Sequence, residues 1–367
     1  MRRAHKTGQF LLRSYSHCKV GQRHASAQEL ADALSSGERG ALARAITLVE
    51  SRRAEKRALG DQLLALLQLQ ARRRRAQLGT QALSFRIAPG VGKSSLIEAL
   101  GCFLIAAGRR VAVLTVDPSS RRTGGSILGD MNRMPRLSLS ENAFVRSSPT
   151  HGSMGGVTRG TQEAIVLVEA AGYDIVIVET VGVGQSEVEV ANMVDLFCLL
   201  ISPTHGDELQ GVKRGVMETC ELLVVTKSDG ELASEARRTQ GEHISALKYF
   251  RPKSLNWRPP VLRVSAHTGE GLEELWEKGL ASFWDVMIRS GELESRREGQ
   301  LQAWIQHHLQ CELLHRLEQH PEVKASWKRL EAEVREGRLT PGATAEMLLK
   351  LFLLDPCRDA SAKPRKL

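Results

Sequence analysis

The stretch Pro89-Gly90-Val91-Gly92-Lys93-Ser94-Ser95 decides how the chain is read. An apolar run, Leu83 to Ile87, leads into it, and Leu96-Ile97-Glu98-Ala99-Leu100 leaves it with helical periodicity. Strand, glycine turn and helix in that order make a phosphate-binding loop. Gly90 and Gly92 can take backbone angles closed to other residues, so successive amides turn inward on an anion. The helix starting near Lys93 adds its positive end. Lys93 is expected to reach the β- and γ-phosphates, and Ser94 to bind magnesium through its hydroxyl. The candidate nucleotide contacts here are Ile87, Ala88, Pro89, Gly90, Val91, Gly92, Lys93, Ser94 and Ser95. The full pattern is a glycine, four residues, then Gly-Lys-Ser. Counting back from Gly92 puts Ile87 at the first position, so the strand runs almost straight into Ala88-Pro89-Gly90. A Gly-Lys-Ser at an ordinary helix start is the alternative, and the motifs downstream weigh against it.

From residue 83 onward short apolar segments alternate with helical patterns. The expected strands are Leu83–Ile87, Val111–Asp117, Asp174–Thr180, Asp195–Ser202, Glu221–Thr226 and Val261–Ser265. Several are apolar throughout, as strands covered on both faces are. Such alternation predicts an α/β fold with a mostly parallel, doubly wound sheet. Ligands of such sheets bind at the carboxyl ends of the strands.

Every further motif falls at such an end. Asp117 closes the second strand, and Asp130 follows the glycine-rich turn Gly124-Gly125-Ser126-Ile127-Leu128-Gly129. Carboxylates there can hold magnesium or its waters; a helix-capping or turn aspartate is the competing reading for each. The third strand ends Glu179-Thr180-Val181-Gly182-Val183-Gly184-Gln185. An acid, two residues and a glycine describe the loop that senses a γ-phosphate, with Glu179 in the metal shell and the Gly182 amide on the phosphate. Residues 204–215 mix two acids, two bases and three glycines. That composition suits contacts that change with nucleotide state, although a solvated loop and helix start describes it as well. Thr226-Lys227-Ser228-Asp229 follows the fifth strand. Asp229 can accept from the ring N–H and exocyclic amine of guanine, while the Lys227 stem covers the base; adenine lacks that donor pair. Ser265-Ala266-His267 closes the sixth strand as a second contact to the base.

The chain has 367 residues and a net charge of +9. The excess is local, since the first 28 residues carry six bases and no acid. With their serines and leucines they read as a mitochondrial transit peptide, or as a basic tail. Arg72 to Arg75 reads as a helix end or linker; no aromatic interleaves it, so nucleic-acid binding is not expected. No run of eighteen apolar residues exists, so no membrane span is expected. The six cysteines show no metal-finger spacing and fit unpaired thiols. Leu42, Ala45, Ile46 and Val49, then Leu63, Leu66 and Leu67, predict a helical pair ahead of the nucleotide domain. Leu301, Ile305, Leu309, Leu313 and Leu317 recur every four residues, and Met347, Leu348, Leu351 and Phe352 mark a last helix. These faces exceed what a nucleotide domain needs, and a homodimer would use them; packing on the same chain is the alternative. His307, Cys311 and His315 share one helix face, without a visible fourth ligand.

Taken together, the loop at 89–95, Val116-Asp117-Pro118-Ser119-Ser120, the Gly124–Asp130 turn, Glu179–Glu187, Gly206–Gly215 and Thr226–Gly230 resemble the ArgK/MeaB family of GTPases. The resemblance covers roughly residues 38 to 355. It implies a P-loop GTPase with an N-terminal helical extension and a C-terminal helical dimerisation arm. It also implies GTP/GDP and Mg2+ as cofactors, a homodimer, a mitochondrial matrix location, and methylmalonyl-CoA mutase as the partner that is protected and loaded with adenosylcobalamin. By motif matching, the metal shell is Ser94, Asp117, Asp130 and Glu179, and the catalytic set is Lys93, Gln185 and Lys213, the last in the family's extra switch segment. The implied division is leader 1–28, helical segment 29–80, GTPase domain 81–285, dimerisation region 286–355 and tail 356–367. The family's glycine run is longer by about four residues. The alternatives are therefore a module that binds nucleotide weakly or not at all, and an ATP-using kinase or ATPase on the same fold. Asp229→Asn separates the last: the variant should lose GTP and accept xanthosine triphosphate in a competition assay, and unchanged GTP binding would refute the guanine reading.

Overall fold

The computed structural model describes residues 26–51, 53–78, 83–87, 92–117, 134–149, 156–180, 193–203 and 214–353. Three helices come first: α1 (Ala27–Ser35), α2 (Arg39–Val49) and α3 (Ala54–Leu78). Helix α1 opens on a capping box, in which the Ser26 hydroxyl accepts from the Glu29 amide and the Glu29 carboxylate accepts from the Ser26 amide. The helical pair expected here is thus a trio; Leu30, Ala31 and Leu34 of α1 are buried on one face.

The core elements follow as β1 (Leu83–Ile87), α4 (Lys93–Ala106), β2 (Val111–Asp117), α5 (Pro135–Leu139), β3 (Ala143–Pro149), α6 (Gly156–Ala170), β4 (Ile175–Thr180), β5 (Leu196–Ile201), α7 (Arg214–Thr219), β6 (Leu222–Val225), α8 (Ala233–Leu247) and β7 (Val261–Arg263). The seven strands form one sheet in the order β3-β2-β4-β1-β5-β6-β7, and every pairing among them is parallel. Six strands were expected; β3 is the seventh. Only its first half, Ala143-Phe144-Val145, is apolar, and it ends Arg146-Ser147-Ser148-Pro149. It lies at the sheet edge and pairs with β2 alone, so it needs neither a long apolar run nor a full set of backbone donors.

Side chains of alternate residues sort onto two faces. Val111, Val113, Ile175, Ile177, Leu196, Cys198 and Leu200 pack with Leu96, Leu100 and Leu104 of α4. Ala112, Leu114, Val176 and Val178 pack against Leu34, Leu42, Ile46, Leu63 and Leu67 of the N-terminal helices and against α6. Phe197, Leu199, Ile201, Leu223 and Val225 are covered by α7 and α8. The N-terminal helices therefore share a core with the sheet. Each fully buried Leu or Ile there contributes about 1.5–3 kcal/mol.

The remainder is helical: α9 (Leu272–Glu274), a π-helical stretch (Leu275–Ala281), α10 (Ser282–Arg289), α11 (Glu292–Gln319), α12 (Pro321–Arg335) and α13 (Pro341–Leu353). Val323, Leu330 and Leu348 form a small separate core joined by Leu317, Leu351 and Phe352. Leu301, Ile305, Leu309 and Leu313 remain exposed along α11. On that helix the Cys311 thiol touches His307 Nε2 at 3.4 Å, and no group of three metal-ligating side chains occurs among the described residues. Cys102, Cys198, Cys220 and Cys311 are free thiols. Burial pushes Cys198 and Cys220 up, Cys220 to about 12 with the Glu221 charge adding to it, so neither is nucleophilic.

Gly271 joins the loop after β7 to α9. Its φ is +81°, and a Cβ there would stand 2.1 Å from the Arg263 carbonyl oxygen. Gly271→Ala should cost about 3 kcal/mol in urea unfolding, from strain and forced backbone displacement. A loss within error of zero would show that the loop gives way freely.

Candidate guanine-nucleotide site

Register places the strand ends together. Ile87 of β1 faces Glu179 of β4 on one side and Cys198 of β5 on the other. Glu179 in turn faces Thr115, and Thr180 faces Val116 beside Asp117. On the other half Ile201, Val225 and Arg263 stand in line. The carboxyl ends of β1, β2, β4, β5, β6 and β7 thus lie along one edge. Ile87 is the last ladder residue of β1 and Lys93 the first of α4, with five residues, 88–92, between them.

Gly92 precedes α4 with φ +95°, a conformation that L side chains rarely adopt. A Cβ at Gly92 would lie 4.0 Å from Cε of Lys227. The phosphate-loop glycine and the lysine of the guanine motif, 135 positions apart by their numbers, are therefore adjacent. Lys227 itself has φ +54°, the only positive value at a non-glycine among the described residues. Strain of that kind persists where the surroundings over-determine the backbone. Here Thr226 is pinned just before, its amide 2.8 Å and its hydroxyl 3.2 Å from the Ile201 carbonyl. The Ser228 amide donates to the Val264 carbonyl at 3.4 Å just after. Asp229 then opens a short 3-10 turn, Gly230–Leu232, half-buried at the rim.

The Ser265-Ala266-His267 loop is built around the Ser265 side chain, which is fully buried. Its hydroxyl accepts from the amides of His267 at 3.2 Å and Thr268 at 3.1 Å. The Ser265 amide donates to the Glu270 carbonyl at 3.0 Å. The turn is closed on itself, with Ala266 half-buried and His267 exposed. Gly271, which lets this turn approach β7, is a positioning residue that motif reading passed over; its signal was the second glycine of His267-Thr268-Gly269-Glu270-Gly271.

At the other end of the edge, the Ser94 hydroxyl donates to Glu179 Oε1 at 3.1 Å. Glu179 is 3% exposed. A hydroxyl and a buried carboxylate, both hard oxygen donors, suit Mg2+. Lys93 is half-buried in the first turn of α4 beside them, and Ser95 is exposed. Asp117 ends β2 at the same edge. The structure thus brings together Gly92, Lys93, Ser94, Glu179, Lys227, Asp229 and Ser265–His267. Ala88, Pro89, Gly90, Val91, Asp130, Gly182, Gln185 and Lys213 lie outside the described residues.

The fold and this edge define a P-loop nucleotide-binding α/β protein. The family of methylmalonyl-CoA mutase-associated GTPases, MeaB, matches residues 42–322. The chain belongs to that family and is by that membership a GTPase. It is 51% identical over 330 residues to the mitochondrial methylmalonic aciduria type A homolog of Caenorhabditis elegans, covering 89% of this chain and 82% of that protein. The mouse homolog of the same name is 48% identical over 323 residues, with 87% and 78% covered. Escherichia coli GTPase ArgK is 41% identical over 308 residues, with 84% and 91% covered. Among solved structures, an LAO/AO transport system kinase superposes with TM-score 0.66 at 33% identity, over 90% of this chain and 98% of that one.

Ser94→Ala tests whether this hydroxyl, bonded to Glu179 Oε1, is a metal ligand. Hydrolysis should fall about 10- to 100-fold and the magnesium requirement should shift to higher concentration. An unaltered magnesium titration would remove Ser94 from the metal shell.

Proposed function

We propose that the chain hydrolyses GTP to GDP and phosphate, and that the cycle serves adenosylcobalamin loading and protection of methylmalonyl-CoA mutase. The observation that carries the nucleotide half is the single edge on which Gly92 meets Lys227 and Ser94 meets Glu179. The mutase half rests on the family description and on relatives named for methylmalonic aciduria.

In this reading Asp229 accepts from the guanine ring N–H and amine, and the Lys227 stem lies against the base. The Ser265, His267 and Thr268 amides are used within the closed turn, so the Ala266 amide is the backbone donor to the base oxygen. Lys93 offsets charge on the β- and γ-oxygens. Ser94 and Glu179, with Asp117 and Asp130, would hold Mg2+, which when bound supplies further positive charge at those oxygens. Water attacks the γ-phosphorus, the bond to the bridging oxygen breaks, and GDP leaves. Positioning and charge neutralisation carry such a reaction, since phosphoryl transfer asks little covalent help of the protein. Gly182 and Gln185 belong to the γ-phosphate side, and Lys213 to the segment that answers the partner. No arginine finger is identifiable in the sequence, so turnover alone is slow. The ATP-using alternative is disfavoured by the placement of Asp229.

The exposed stripe Leu301, Ile305, Leu309 and Leu313 supports a homodimer. The basic leader and the relatives' names support a mitochondrial matrix location. No helix among the described residues is long and apolar enough to cross a membrane.

Phosphate release, measured with and without methylmalonyl-CoA mutase, tests the reading. The mutase should accelerate it at least several-fold, and Lys213→Ala should abolish the acceleration. Equal rates with and without mutase would remove the partner assignment.

A further inference from the structure

Helix α8 is clamped to strand β7 by one side chain. Gln240 of α8 donates from Nε2 to the Val261 carbonyl at 2.7 Å, and its Oε1 accepts from Arg263 Nε at 2.8 Å. Only one orientation of the amide satisfies both. Turned over, its oxygen would face the carbonyl and its NH2 the guanidinium, acceptor on acceptor and donor on donor.

β7 is three residues long, ends the sheet and pairs with β6 alone. The Pro260 carbonyl accepts from the Leu223 amide at 3.1 Å, and the Val264 amide donates to the Val225 carbonyl at 2.9 Å. Alternation along the strand therefore turns the backbone of Val261 and Arg263 to the open edge. Gln240 covers the first of those carbonyls. The turn at Gly271 packs on the second, where a Cβ would not fit. So short a strand has little ladder to fix its direction, and the edge contacts supply it.

The clamp joins the two segments proposed to read the base. α8 follows Thr226–Asp229 and the 3-10 turn after it. Ala236, one turn before Gln240, is buried in the core that also holds Val261. β7 runs straight into Val264 and the Ser265 turn. The backbone tie between the two segments, from the Ser228 amide to the Val264 carbonyl, is 3.4 Å, longer than either bond of Gln240. Thr226, by contrast, is anchored on the β5 side, to the Ile201 carbonyl.

We propose that Gln240 is a positioning residue for guanine: by fixing β7 against α8 it sets the distance from the Ala266 amide to the base oxygen. This rests on the guanine-nucleotide reading above. Asp229 reads the other edge of the base and takes its place from β6 and the Thr226 anchor, so the clamp bears on one half of base recognition only. Each half has its own analogue. 6-Thio-GDP keeps the ring N–H and the amine but presents the turn with sulfur, larger and a weaker acceptor. IDP keeps the oxygen and the ring N–H and lacks the amine.

The full-length protein, Gln240→Leu and Gln240→Glu are titrated calorimetrically with GDP, 6-thio-GDP and IDP in the presence of magnesium. Leucine loses both bonds; glutamate keeps the one from Arg263 and sets an oxygen against the Val261 carbonyl. The wild type should bind GDP more tightly than either analogue. In each variant the preference for GDP over 6-thio-GDP should shrink about 3-fold or more, while the preference over IDP stays as in the wild type. A merely structural role would weaken all three nucleotides alike and leave both ratios unchanged. That result, or an equal fall in both ratios, would overturn the assignment. If Gln240→Leu does not fold, Gln240→Glu decides. A wild type that prefers GDP to IDP but not to 6-thio-GDP would overturn the assignment and leave the guanine reading standing. A wild type with no preference for GDP over IDP would overturn the guanine reading and the assignment with it.

Discussion

Glu179 stands where two parallel ladders cross, facing Ile87 of β1 and Thr115 of β2. That double register is the constraint on which the nucleotide edge depends. It sets the carboxylate level with the last residue of the strand feeding the phosphate loop. It also sets it within 3.1 Å of the Ser94 hydroxyl in the first turn of α4. A slip of one residue in either ladder would turn Glu179 to the opposite face. The apolar residues on both sides, Ile177 toward α4 and Val178 toward the N-terminal helices, make such a slip costly because both faces are covered.

The half proposed to read guanine is held by a different device. It sits on β6 and β7, where short strands leave less ladder to fix the loops. Local bonds do that work instead: Thr226 to Ile201, Ser228 to Val264, and the Ser265 hydroxyl to two amides of its own turn. The strained Lys227 backbone lies between the first two of these anchors. The two halves meet where Lys227 lies against Gly92.

The residues gathered at this edge were legible because they lie in short contiguous motifs. Such motifs keep their spacing in sequence, as Gly92-Lys93-Ser94 and Thr226–Asp229 do. Six of seven strands were visible as apolar runs, since strands covered on both faces must be apolar throughout. β3 was not, because an edge strand with a polar second half has no such requirement. The ion network that ties α11 to the residues leading into β5 and β6, Arg297 to Asp195 and Arg296 to Glu221, was not legible either. Its ion pairs join residues 75 and 102 positions apart, and an arginine pair in an amphipathic helix reads as a solvated face.

The sequence by itself determined which residues close the strands and the alternation that makes a parallel sheet, because these follow from neighbours along the chain. Tertiary structure decided the order β3-β2-β4-β1-β5-β6-β7, the placing of Gly92 against Lys227, and the burial of α1 to α3 in the sheet's own core. It also decided that α11 grips the entry to β5 while its apolar stripe stays exposed. Those depend on which surfaces meet across long loops, and no local pattern of residues encodes that.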